Sequence, residues 1–159
     1  MLPEQRLYDL LHASGFAICT AESCTGGLIA SRITDISGSS RYMLGGVVAY
    51  ANEIKMAQLG VQAATLIAHG AVSEPTAREM ALGVQARFGA TFAVSVTGIA
   101  GPSGGSAEKP VGLTYIGVAT PNQVTVARYM WGGSRIENKA ASASAALEML
   151  VAAIASYAP

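Results

Sequence analysis

The stretch Ala17-Ile18-Cys19-Thr20-Ala21-Glu22-Ser23-Cys24-Thr25-Gly26-Gly27-Leu28-Ile29-Ala30 decides the fold. Small and apolar residues from Ala17 to Ala21 have the composition of a short buried strand. The run after Gly26 has helical spacing, so the polar residues between them sit on a strand-to-helix turn. Ser23 then stands at the carboxyl end of a strand. The N–H groups of Thr25, Gly26 and Gly27 point out of a helix start that favours negative charge, so a hydroxyl nucleophile and an oxyanion hole can share this spot. Taken alone, the same residues more simply describe Ser23 or Thr25 capping a helix, with glycines that let it pack closely.

Outward from this turn, strands alternate with helices. Upstream, Leu7, Leu10 and Leu11 share one face of a helix predicted from about Pro3 to Ser14, with Gly15 as its stop. Downstream, Leu28, Ile29, Ile33 and Ile36 form a helical stripe that ends near Ser37-Gly38-Ser39-Ser40. Val47-Val48-Ala49-Tyr50 reads as a second strand, and Asn52 as the N-cap of a short helix that stops at Gly60. Ala71-Val72 is too short to assign. Ser73-Glu74-Pro75 opens a helix that runs to Gly89. Phe92 to Val96 is a strand that enters the Gly/Ser-rich loop Thr97 to Ser106, and such a loop in a compact domain is functional or disordered. Val111 to Ala119 and Val124 to Met130 read as a hairpin around Pro121-Asn122, and an Ala-rich helix follows Trp131-Gly132-Gly133-Ser134. The alternation closing in a hairpin predicts an α/β sandwich with a mixed sheet.

Composition sets the limits. With 159 residues, 51% of them apolar, the expectation is one domain over 1–159. Ten basic residues balance ten acidic ones without a Lys/Arg-rich block, which leaves no electrostatic footprint for direct nucleic-acid or membrane binding. No apolar run approaches a membrane span, and the N-terminus lacks the pattern of a secretory signal, so a cytoplasmic location is expected. Cys19 and Cys24 read as free thiols, and no metal site is predicted.

Lys55 falls in the first turn of its helix, where the dipole disfavours a positive charge. In a cleft with little water, desolvation acts in the same direction, and a neutral amine can take a proton from a serine hydroxyl. Ser23 and Lys55 thus form a candidate pair, set against the simpler reading of a solvated lysine. Tyr50 can relay a proton or orient the amine. Cys24 is the rival nucleophile, but neighbours on a strand point to opposite sides, so Ser23 and Cys24 are not expected to share a cleft. His12 and His69 have no catalytic partner in sequence. The loop from Thr97 offers N–H groups and hydroxyls to phosphate or ribose without matching a Walker or GxGxxG pattern. Arg135 can clamp a phosphate or simply pair with Glu137 at the surface.

The motifs Ala21-Glu22-Ser23-Cys24-Thr25-Gly26-Gly27, Gly45 through Lys55, Gly70 through Pro75 and Thr97-Gly98-Ile99-Ala100-Gly101-Pro102 with Glu108 through Gly112 together resemble the CinA C-terminal domain family. The resemblance covers nearly the whole chain and implies a three-layer α/β/α sandwich. It also implies nicotinamide-nucleotide amidase activity without a cofactor, in which nicotinamide mononucleotide yields nicotinic acid mononucleotide and ammonia. Some members carry this domain behind a larger one; here it is expected to stand alone. The family's nucleophile falls on Ser23 and its general base on Lys55, with Tyr50 and Asn52 close by. Oxyanion binding then falls to Thr25, Gly26 and Gly27, phosphate and ribose to Thr97, Gly98, Gly101, Ser103 and Arg135, and ring stacking to Tyr42. A homo-oligomer, a dimer first, is expected. The family label also implies a rival role, an interaction module linked to competence and the DNA-damage response. A third reading is a nucleotide-binding module that has lost its chemistry.

Overall fold

The computed structural model describes residues 1–157. Its strands are β1 (Ile18–Glu22), β2 (Met43–Val48), β3 (Phe92–Gly98), β4 (Leu113–Ala119) and β5 (Val124–Met130). They form one sheet in the order β2-β1-β3-β4-β5. β1 pairs parallel with both β2 and β3, while β3–β4 and β4–β5 are antiparallel. Every residue of β1 is buried, as expected for a central parallel strand covered on both faces.

The helices are α1 (Pro3–Leu11), α2 (Leu28–Thr34), α3 (Asn52–Leu59), α4 (Ala63–His69), α5 (Glu74–Phe88) and α6 (Arg135–Ala155). One face of the sheet carries α1, α2 and α6, whose Leu7, Leu11, Ile29, Ile33, Leu147 and Leu150 join Ile18 and Val94 in one core. The other carries α3 and α5, whose Leu59, Met80, Ala81 and Val84 pack on Cys19, Ala21 and Ala93. The result is the expected three-layer α/β/α sandwich. Each fully buried Leu, Ile or Val contributes roughly 1.5–3 kcal/mol. Packing of this kind, rather than intrinsic propensity, holds a helix of only seven residues such as α2.

Several boundaries differ from the sequence reading. β2 begins at Met43, four residues before Val47, and ends before Tyr50. Ala71-Val72 joins no strand. Ile36 lies beyond α2, which stops at Thr34. Asn52 is not the N-cap of α3: the Ala51 carbonyl accepts the first helical bonds from Ile54 and Lys55, so Asn52 is the first helical residue. α4 has no counterpart in the sequence reading, because none of its residues is fully buried and only Leu66 packs against the core. It is tied to α5 by Glu79, whose carboxylate accepts from the Gln62 N–H and the Thr65 hydroxyl. Among the described residues, no helix is long and apolar enough to cross a membrane.

The topology places the site. The chain leaves β1 for α2 on one face and leaves β2 for α3 on the other, which opens a crevice at the carboxyl ends of these adjacent parallel strands. Ser23 follows β1, Tyr50 and Asn52 follow β2, and Thr97 and Gly98 end β3.

Candidate active site

A cavity of about 330 Å³ occupies this crevice. Ser23, Lys55, Tyr50, Asn52, Thr97, Gly98, Ser103 and Arg135 all line it, so eight of the residues singled out in the sequence meet on one wall. Lys55 reaches it from the first turns of α3 and is almost wholly buried, as is Ser23. Lys55 Nζ lies 3.1 Å from Ser23 Oγ and 3.1 Å from the main-chain oxygen of Tyr50. Burial pushes the Lys55 amine below its ordinary value of 10.5, because an ammonium there loses its water. Among the described residues, no salt bridge reaches it. A lysine in its neutral form, beside a serine hydroxyl and braced by a carbonyl, is equipped to act as a base.

Cys24 also lines the cavity, contrary to the expectation that it would face away from Ser23. β1 ends at Glu22, so the two residues lie on the turn rather than the strand and strand alternation does not govern them. Burial nevertheless raises the Cys24 thiol to about 11, which keeps it protonated at neutral pH. Cys19 is deeper in the core and is raised to about 12 by the same cause.

The glycines after Ser23 have a different role from the one expected. Thr25, Gly26 and Gly27 do not line the cavity. The Gly26 N–H is not free, since it donates to the Ser23 carbonyl at 3.1 Å and closes the turn. Gly26 and Gly27 have φ of +63° and +101°, which suits glycine, and Gly27 is the N-cap of α2. Thr25 Oγ1 is buried without a hydrogen-bond partner among the described residues. The first N–H groups of α2 are also occupied, because Glu22 Oε1 and Oε2 accept from Ile29 and Ala30. Several backbone donors on the cavity wall, those of Cys24, Tyr50, Asn52, Ala100, Ser103 and Gly104 among them, reach no acceptor on another described residue.

Arg135, the first residue of α6, donates from Nη1 to the Gly101 carbonyl at 2.9 Å and from Nη2 to the Tyr50 hydroxyl at 3.2 Å. The surface pairing with Glu137 is not formed, because Glu137 is taken up in a capping box with Ser134. Gly101 lies behind the wall and meets the site through that carbonyl. The Thr97 hydroxyl, expected to face a ligand, donates to the Ala71 carbonyl at 2.7 Å and draws the segment before α5 over the site. Tyr42 is corrected: it is fully buried in the α1/α2/α6 core, edge-on to Tyr8, and cannot stack on a ligand in this cavity.

Asn138 is a site-supporting residue that the sequence reading passed over. Its side chain donates to the Ala100 carbonyl and accepts from the Gly133 N–H, joining the Gly-rich loop to the start of α6. The available signal was a polar residue on the buried stripe of an Ala-rich helix, continued by Ser142. Among the described residues, no group of three or more His, Cys, Asp or Glu side chains is placed to hold a metal ion. A larger cavity of about 570 Å³ lies between the β4–β5 turn and the end of α6. None of the predicted site residues lines it, and Tyr157 is its sole ionisable side chain.

Fold and site together define an α/β/α domain with a buried serine–lysine pair at the carboxyl ends of parallel strands. Residues 3–154 match the model of the CinA C-terminal domain, and the chain belongs to that family. It is 48% identical to a CinA-like protein of Gemmatimonas aurantiaca over 98% of this chain, which spans 35% of that relative's length. Among solved structures, it is similar to a competence/damage inducible protein of Agrobacterium tumefaciens, at 47% identity and a TM-score of 0.93 over 94% of this chain and 92% of the other. A competence damage-inducible protein A of Klebsiella pneumoniae superposes with a TM-score of 0.94 at 33% identity, covering 98% and 97% of the two chains.

Proposed function

We propose that this chain is a nicotinamide-nucleotide amidase, which hydrolyses the carboxamide of nicotinamide mononucleotide to nicotinic acid mononucleotide and ammonia. The observation that carries this reading is the buried Lys55 amine 3.1 Å from Ser23 Oγ. Neutral Lys55 takes the Ser23 proton, and the serine oxygen attacks the carboxamide carbon, whose electrophilicity the cationic pyridinium ring increases. The tetrahedral oxyanion is met by donors on the wall, of which the Cys24 N–H stands next to the nucleophile. Collapse breaks the C–N bond, the Lys55 ammonium returns its proton to the leaving nitrogen, and ammonia departs. Water then attacks the acyl ester with Lys55 as base. The C–O bond breaks, Ser23 regains its proton, and the acid is released.

The wall also supports an anionic substrate. Among the described residues it carries Arg135 and N–H groups of Ser103 and Gly104 that reach no acceptor, and no Asp or Glu. Ammonia release from nicotinamide mononucleotide, with the product identified by mass, tests the reading. Turnover by wild type that collapses in Ser23→Ala and Lys55→Ala is expected. A folded wild type that releases no ammonia overturns the amidase.

A further inference from the structure

Glu22 is a buried carboxylate to which the reaction assigns no proton and no contact with substrate. It is about 1% exposed, and no cation forms an ion pair with it among the described residues. Its charge is met by hydrogen bonds alone. Oε1 accepts from the Ile29 N–H at 2.9 Å and Oε2 from the Ala30 N–H at 3.0 Å, with the Thr20 hydroxyl at 3.5 Å. Ile29 and Ala30 are the second and third residues of α2, whose N–H groups a helix leaves for a capping side chain. The residue in the capping position is Gly27, which has no side chain to offer. Glu22 supplies the cap from the far side of the turn.

We propose that Glu22 is a positioning residue for the nucleophile: its carboxylate clasps the two ends of the Ser23–Gly27 turn together and so fixes Ser23 Oγ against Lys55. The backbone at the start of the turn is already pinned to both neighbouring strands. The Glu22 carbonyl accepts from Ala49 at 2.8 Å, and the Ser23 N–H donates to Val96 at 2.9 Å. The far end of the turn enters α2, which Ile29 and Ile33 hold in the core and Arg32 ties to Glu4, and the clasp adds the side-chain tie from that end back to β1. Ser23 and Lys55 ride on different elements, so their 3.1 Å separation depends on the turn holding its shape. Close approach at the clasp is allowed by Gly46, where a Cβ would fall 2.2 Å from Thr20 Oγ1. The carboxylate also explains why α2 offers no anion site: its N-terminal donors are spent on the protein's own charge.

The inference rests on Ser23 being the nucleophile. It is tested with a fluorophosphonate, which labels an activated serine whatever the natural substrate, alongside ammonia release and amide exchange at Ile29 and Ala30. In Glu22→Gln, one of the two N–H groups faces an amide NH2 instead of an acceptor. Glu22→Asp keeps the charge but withdraws it by one methylene. Both are expected to slow Ser23 labelling and to lower kcat by about 10- to 10²-fold with KM within about twofold, since a small misplacement of a reacting atom is that costly. Ile29 and Ala30 amides should exchange faster while α5 keeps its protection. Wild-type labelling in a folded Gln or Asp variant overturns the clasp and leaves the amidase standing. If Glu22→Gln does not fold, Glu22→Asp carries the same two outcomes. A wild type that takes no label at Ser23 overturns the serine mechanism and the clasp with it, whereas labelling without ammonia release rejects the substrate alone.

Discussion

The Lys55 amine is shared between two oxygens of different kinds, the Ser23 hydroxyl and the Tyr50 main-chain carbonyl, each 3.1 Å away. A neutral amine has two protons and one lone pair. With one N–H committed to the carbonyl, which can only accept, the lone pair is left for the serine proton. Lys55→Met keeps most of the buried volume and removes the base. Turnover should fall by about 10²-fold or more. Thermal stability should hold or rise, because a desolvated amine is replaced by an apolar side chain. Ammonia release and a thermal melt on the same sample check both halves.

The lowered pKa of Lys55 fixes two pH dependences. The proposed reaction uses the free amine, so kcat/KM should rise with pH and level off at an apparent pKa below the ordinary 10.5. Stability follows the same group. Between its folded pKa and 10.5 the unfolded chain binds the proton and the native one does not, so stability rises with pH across that window. Below the window both states are protonated and the full cost of burial is present. Lys55→Met should flatten this part of the stability profile, which chemical denaturation at a series of pH values measures.

Cys24 stands on the cavity wall beside Ser23, yet its thiol is raised to about 11. At pH 7 this leaves roughly one thiolate in 10⁴, too little for Cys24 to compete as the attacking group. Cys24→Ala should keep turnover within about threefold of wild type. Iodoacetamide should modify native protein far more slowly than denatured protein. Loss of activity in Cys24→Ala comparable to that in Ser23→Ala would reverse the assignment.

Arg135 is exposed, and its hydrogen bonds to Gly101 and Tyr50 are ones that an anionic group of a ligand can replace. Arg135→Ala should raise KM by about 10- to 100-fold, the worth of one charge-assisted contact, with a smaller effect on kcat. Its effect on stability should stay within about 0.5 kcal/mol. Arg135→Lys should recover only part of the loss, because an ammonium cannot reproduce the planar fork.

The uneven legibility of the site has a physical basis. The Ser73 cap, the Gly/Ser turn before the Ala-rich helix and the strand composition of β3, β4 and β5 are local signals, and the elements they mark fall within a few residues of where they were expected. The place of Lys55 near a helix start marks it as unusual. A solvated lysine is still the simpler local reading and only the family resemblance favours the pair, because burial of the amine depends on packing that one helix does not show. Tyr42 is not legible either, because burial in the core depends on α1 packing over it from far away in sequence. α4 has no fully buried residue and only Leu66 packs against the core, so it leaves no stripe. The Glu22 clasp was also hidden: it spans a turn with two left-handed glycines, and a backbone pattern of that kind is not written in side-chain periodicity.

Gly98 ends β3 opposite Thr114 and forms part of the cavity wall. A Cβ there would lie 2.6 Å from Thr114 Oγ1, 3.0 Å from the Leu113 carbonyl and 3.1 Å from Cys24 Sγ. The carbonyl belongs to the sheet and cannot yield cheaply, so Gly98→Ala should cost about 1–3 kcal/mol as an overpacked site. The strain would also be passed through Cys24 to the adjoining Ser23, so turnover should fall as well. Adding Cys24→Ala removes the sulfur contact but neither oxygen contact. The double variant should therefore regain some activity over Gly98→Ala and yet remain less stable than Cys24→Ala, which denaturant melts and ammonia release on the three proteins can establish. Equal stability of the double variant and Cys24→Ala would show that the sheet can open around Gly98 and that the wall is softer than its packing indicates.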